Sequence, residues 1–110
     1  MTFRVSLSPT EAASRIENYV ISSAISAECV GKCVQRSADG QEAIMLVFEK
    51  YFMRNSSRAS LSVLIENLSG MTYVASVGSG GGQNTLFSFD WGAGDDFAAL
   101  PRKALGGFML

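Results

Sequence analysis

The sequence predicts an α+β fold: a five- to six-stranded antiparallel sheet with two helices on one face, in the order β-α-β(4–5)-α. Three observations predict it. Several segments alternate apolar and polar residues at the two-residue period of a strand. Short stretches bearing Gly, Asp or Asn separate them at hairpin lengths. Helix-start signals stand near both ends of the chain.

Residues 2–7 (TFRVSL) open the sheet, with Phe3, Val5 and Leu7 on one side and Arg4 and Ser6 on the other. A helix starts next. Ser8 is an N-cap, Pro9 suits the first helical position, and Glu11 stands three residues after Ser8 to close a capping box. Ile16, Tyr19, Val20 and Ala24 then recur at helical spacing, and the helix is expected to end near Ile25. Residues 27–36 alternate more weakly, Val30 and Val34 against Cys29 and Cys33, before a turn at residues 38–41 (ADGQ).

Residues 42–52 (EAIMLVFEKYF) read as a strand that is apolar on both faces. Residues 57–67 (SRASLSVLIEN) read as another, with Ala59, Leu61, Val63 and Ile65 on one face. Residues 68–70 (LSG) match a three-residue hairpin loop closing on a left-handed Gly70. Asn67 opposite Met71 then sets Ile65 across from Tyr73, Val63 from Ala75 and Leu61 from Val77. The preceding loop, residues 53–57 (MRNSS), allows more than one register. The preferred one pairs Tyr51 with Ala59 and Val47 with Val63. It turns Ile44, Leu46, Phe48, Phe52 and Leu64 outward beside Val74 of the neighbouring strand, together with Lys50, Arg58, Ser60, Ser62 and Glu66.

Residues 85–91 (TLFSFDW) form a last strand with Phe87, Phe89 and Trp91 inward. Residues 92–96 (GAGDD) open a C-terminal helix whose acidic first turn suits the helix dipole. Phe97, Leu100, Ala104 and Leu105 make its buried stripe. Pro101 lies too deep for a first-turn position, so a kink or two short helical pieces are expected there. Gly106 and Gly107 end the helix ahead of an apolar tail at residues 108–110.

The 110 residues are read as one domain, 1–110, large enough for a core without metal or disulfide staples. Charged residues make up 17%, against about 25% in an average soluble domain, so some apolar side chains are expected to face a partner. The net charge is −1 and the basic residues are scattered, which argues against nucleic acid. With no apolar run of membrane-spanning length and no secretion signal pattern, a cytoplasmic protein off the membrane is expected.

The chain has no histidine, which removes the usual general base and the commonest metal ligand. No cofactor, metal site or catalytic residue is expected. Cys29 and Cys33, four apart on a strand, lie roughly 13 Å from each other, too far for a disulfide. With no other Cys and no His, zinc lacks ligands. The glycine-rich stretch at residues 77–84 (VGSGGGQN) lacks the Lys, the Ser/Thr and the following helix of a phosphate-binding loop, and reads as a hairpin connection. Gly in such a loop also permits close approach to the backbone, so Ser79, Gly81 and Gln83 stand as candidate ligand-binding residues. Glu49 and Tyr51 join them, with Glu49 expected on the core side near the end of the sheet.

Four segments carry a family resemblance: FEKY (48–51), RASLSV (58–63), ASVGSGGGQ (75–83) and WGAGDDF (91–97). They resemble a family of small single-domain Firmicutes proteins classed as a domain of unknown function, over residues 26–105. Ser79, Gly80, Gly81 and Gln83 match its Ser-Gly-Gly-x-Gln loop, with Gly82 extra. Pro101, Gly106 and Gly107 depart from its regular last helix. The resemblance implies a bacterial source and no particular activity.

Two functions from different classes follow. One is a non-catalytic module that self-associates through its open sheet face, with Ile44, Leu46, Phe48, Phe52, Leu64 and Val74 as the homodimer interface. The other is a domain binding a small apolar or amphipathic ligand between sheet and helices. The element order allows that in the manner of TATA-binding-protein-like or helix-grip architectures, with Glu49, Tyr51 and Gln83 at the mouth.

Overall fold

A computed structural model describes residues 1–24, 26–52, 57–80 and 97–110, the side chains of Phe52 and Ser57 excepted. The elements are β1 (Thr2–Val5), α1 (Pro9–Ser23), β2 (Ala27–Arg36), β3 (Glu42–Phe52), β4 (Ser57–Glu66), β5 (Thr72–Gly80) and α2 (Leu100–Ala104), then a 3₁₀ turn at Gly106–Phe108. The strands form one sheet in the order β1-β5-β4-β3-β2 with every neighbour antiparallel. The α+β class and the five-stranded sheet thus agree with the sequence reading. The strand expected at residues 85–91 and the helix start at residues 92–96 lie outside the described residues.

The capping box sets where α1 begins. The Glu11 N–H donates to Ser8 Oγ at 3.2 Å and the Ser8 N–H to Glu11 Oε1 at 3.4 Å, with Pro9 at the first helical position. Ala12, Ala13, Ile16 and Val20 then face the sheet and are buried. The helix stops at Ser23, two residues before its expected end. On the same side, Phe97 and Leu105 complete the core, so both helical segments cover one face. Pro101 stands in the first turn of α2, and Ala99 separates that helix from the helical Phe97 and Ala98. The proline is therefore tolerated by restarting the helix, as two short pieces.

The floor beneath α1 corrects the sequence reading. Tyr51 pairs with Arg58 and Leu46 with Val63, one residue away from the expected register. Ile44, Leu46 and Phe48 therefore point inward with Ala59, Leu61, Val63 and Ile65, and Phe48 is 0% exposed. The physical reason lies in the two faces of β3. One carries Ile44, Leu46 and Phe48, with Glu42 and Lys50 towards its two ends; the other carries Glu49 and Tyr51 beside Met45 and Val47. Burying the carboxylate face beneath an apolar helix would cost several kcal/mol unless the charge were paired there.

A second slip occurs at the other hairpin. Glu66 faces Tyr73, so the connection holds one residue more than a three-residue loop allows. Gly70 does take the left-handed conformation, φ +96°, and its N–H closes the turn onto the Asn67 carbonyl at 2.9 Å. With the slip, Thr72, Val74 and Ser76 face the helices while Tyr73, Ala75 and Val77 face away. Val74, expected outside, is fully buried. Buried Ser76 is satisfied, donating from Oγ to the Ala98 carbonyl at 2.9 Å.

The sheet edges are treated differently. β1 is shielded by the tail: Val5 bridges to Met109, the Ser6 N–H donates to the Phe108 carbonyl at 2.9 Å, and the Leu110 N–H donates to the Arg4 carbonyl at 3.0 Å. β2 carries a bulge between Cys29 and Gly31, and beyond it Lys32 leans to Glu17 of α1 at 3.5 Å. Bulges and lysines are devices that discourage edge-to-edge pairing.

The register is testable by denaturant unfolding. Phe48→Ala is expected to cost about 3–5 kcal/mol, as for a large aromatic removed from a closed core. Met45→Ala, one pleat away, should cost under about 1 kcal/mol. A reversed order of the two would contradict the observed pairing.

Candidate functional site: the open face of the sheet

No described element lies over the face opposite the helices, and the pairings array its side chains in rows across the strands. One row runs Cys33, Met45, Leu64, Ala75 and Thr2 from β2 to β1. The next holds Gly31, Val47, Ser62 and Val77. Together they make an apolar band across the middle of the sheet, with Val77 66%, Met45 45% and Leu64 36% exposed.

Polar rows flank the band. On one side stand Gln35, Ala43, Glu66, Tyr73 and Arg4, with the Arg4 guanidinium 5.2 Å from the centre of the Tyr73 ring. On the other stand Glu28, Glu49, Ser60 and Ser79. The Ser60 and Ser79 hydroxyls are hydrogen-bonded at 2.7 Å. Arg58 donates to Glu49 Oε1 at 3.2 Å and lies 5.7 Å from the Tyr51 ring centre.

Of the candidate ligand residues, Glu49, Tyr51 and Ser79 do come together, but on the open face. Glu49 therefore does not point to the core side, as expected, and neither it nor Tyr51 stands at a mouth between sheet and helices. Gly81 and Gln83 lie outside the described residues. Of the expected interface, Leu64 is on the open face, whereas Ile44, Leu46, Phe48 and Val74 form the core; the side chain of Phe52 lies outside the description. The sequence reading missed Met45, Val47, Ala75 and Val77 as outward residues. The signal was Glu49, whose parity Met45 and Val47 share on β3; pairing through β4 carries it to Ala75 and Val77 on β5.

The bulge also separates the two thiols. Cys29 pairs with inward Phe48 and packs against the core, while Cys33 pairs with outward Met45. They sit on opposite faces and cannot act as a pair. Their free state agrees with the sequence reading.

Two features hold the ends of this face in place. Gly80, the last residue of β5, has φ +89°, and a Cβ there would run into the carbonyl oxygen of Arg58. The glycine thus permits close passage of two backbones. At the opposite end, Glu42 ties three elements together. Its Oε2 accepts from Arg36 Nε at 2.7 Å and from the Thr10 hydroxyl of α1 at 2.9 Å, while its N–H donates to Asn67 Oδ1 at 2.8 Å. The Arg36 hydrogen bond first, then that of Thr10, lowers the Glu42 pKa from its ordinary 4.5.

The fold and its open face define a class: a helix-backed antiparallel sheet with one side covered and the other banded with apolar residues. The chain belongs to a Family of unknown function (DUF6054), whose model matches residues 1–109. The match reaches back to residue 1 and so takes in β1 and α1, which the resemblance over residues 26–105 left out. Comparison with curated proteins and with solved structures gives no match. Among the described residues, no helix is long and apolar enough to cross a membrane.

Two outcomes are expected here. Gly80→Ala should destabilise the fold by about 1–3 kcal/mol in chemical unfolding, whereas a purely flexible joint would be indifferent. For Glu42 the folded pKa is depressed, so its stabilising contribution is present above the unfolded value and lost as pH falls from about 4.5 through the folded value. An NMR titration should place its midpoint below 4.5, and Arg36→Gln should move that midpoint up.

Proposed function

We propose that the protein is a non-catalytic module that self-associates through the open face of its sheet, two copies meeting face to face. One observation carries the reading. β5 directs Ala75 and Val77 away from its own helices, into the rows of Met45 and Leu64 and of Val47, with Tyr73 beside them, while the helices receive Thr72, Val74 and Ser76. A strand that keeps its more apolar side for the uncovered face is built for a partner there.

The area is adequate. With strands about 4.8 Å apart and residues rising about 3.3 Å, five strands and four rows cover roughly 600 Å² per copy. A pair therefore buries about 1,200 Å², the lower end of a standard interface. A small-ligand pocket between sheet and helices has less support, because Glu49, Tyr51 and Ser79 stand on the other face.

Sedimentation velocity from about 1 to 200 μM tests the proposal. A dimer is expected within this range. Leu64→Glu and Val77→Glu should each raise the dissociation constant by at least about tenfold, about 1.4 kcal/mol, with the fold intact by circular dichroism. A monomer at every concentration would defeat the reading.

A further inference from the structure

The rows of the open face also fix how two copies must be oriented, an inference that rests on the self-association just proposed. A two-fold relating face-to-face sheets lies in the plane between them, and for the aligned packing of sheets it runs close to along the strands or close to across them. β4 is the middle strand of the five, so full overlap with an axis along the strands puts that axis on β4. Each outward β4 residue then meets its own copy: Glu66 meets Glu66 and Arg58 meets Arg58. Like charges brought together in this way are repulsive, and this arrangement does it twice.

An axis across the strands behaves differently. Placed midway between Leu64 and Ser62, it lays the Met45–Leu64–Ala75 row of one copy on the Val47–Ser62–Val77 row of the other. Leu64 then covers Ser62 and Val77 covers Ala75, a large side chain over a small one each time. The flanking rows also exchange. Glu66 comes opposite the Ser60 hydroxyl and Tyr73 opposite the Ser79 hydroxyl, with no Glu–Glu or Arg–Arg contact among them.

We infer that the partner of the open face is a second copy of this chain related by a two-fold axis running across the strands between Ser62 and Leu64. The size alternation within the band and the placement of charge outside it both select this axis. The hairpin tips of the two copies then point in opposite directions.

Spin labels on a hairpin tip read the orientation from outside the apolar band, whose one change is the Cys33→Ser that directs labelling to the tip. In a Cys29→Ala/Cys33→Ser background, Ser69→Cys places a label on the exposed β4–β5 loop, and Ala38→Cys places one on the β2–β3 loop at the same end of the sheet. For either label, the axis across the strands predicts an inter-copy distance of roughly 30–40 Å; an axis along them predicts roughly 15–20 Å. Double electron–electron resonance on the labelled dimer separates the two. Long distances from both labels support the inference. A short distance in a species that sediments as a dimer overturns the orientation while self-association stands. Monomeric sedimentation of the unlabelled protein overturns both.

Discussion

The constraint on which the rest depends is the choice of which side of β3 lies under α1. The helix offers Ala12, Ala13, Ile16 and Val20, an apolar stripe with small residues at its N-terminal end. Against this, β3 can present Ile44, Leu46 and Phe48, or Glu49 and Tyr51 with their neighbours. The first set closes a core whose charged neighbours on the same face, Glu42 and Lys50, stand towards the strand ends and are only partly buried. Once Phe48 is inward, antiparallel pairing transmits that parity outward. Leu61 follows across β4 and Val74 across β5, and β1 docks with Phe3 beside Val74. The composition of the open face is what remains after this choice.

That transmission explains what could be read from the sequence. The start of α1 was legible because a capping box is local: Ser8, Pro9 and Glu11 specify it within four residues. The alternation of β1 and β4 was legible too, since each has one apolar and one polar face. The interruption at Pro101 followed from the proline itself. Register was not legible. It depends on a single residue in each loop, and a slip of one exchanges the two faces of a strand. In β3 both faces are largely apolar, so the pattern alone gave no correction. In β5 the pattern favoured the wrong side, because Tyr73, Ala75 and Val77 are together more apolar than Thr72, Val74 and Ser76. Local preference yielded there to the parity imposed from β3, helped by the Ser76 hydroxyl reaching the Ala98 carbonyl. The candidate site inherited the same error: Glu49 and Tyr51 were expected on the core side and stand on the open face.

The edges of the sheet restrict how the molecule can associate. An unpaired edge is the simplest route to a larger sheet, because its N–H and C=O groups are ready donors and acceptors. Here the β1 edge is occupied by residues of the tail through Met109 and Leu110. The β2 edge is kinked by the bulge that also divides Cys29 from Cys33. Among the described residues, the face carries no such obstacle. Its band is continuous from Met45 to Val77, and its charges stand in the rows beyond.

The polar residues set into that face indicate the strength of association it suits. An obligate interface, resembling a core cut in half, would be apolar throughout and larger than about 2,000 Å². This face has Ser62 between Val47 and Val77 within the band, and a hydrogen-bonded pair, Ser60 and Ser79, directly beside it. Those hydroxyls keep the separated chain tolerable in water, and they also reduce the apolar area that pairing removes from it. For the proposed dimer, with about 1,200 Å² to bury and several kcal/mol of lost translational and rotational freedom to offset, the balance would favour concentration-dependent over permanent association. In the proposed dimer the same serines that weaken the contact would supply the shallow positions for Leu64 and the partners for Glu66 and Tyr73, so orientation would be specified by residues that add little to affinity.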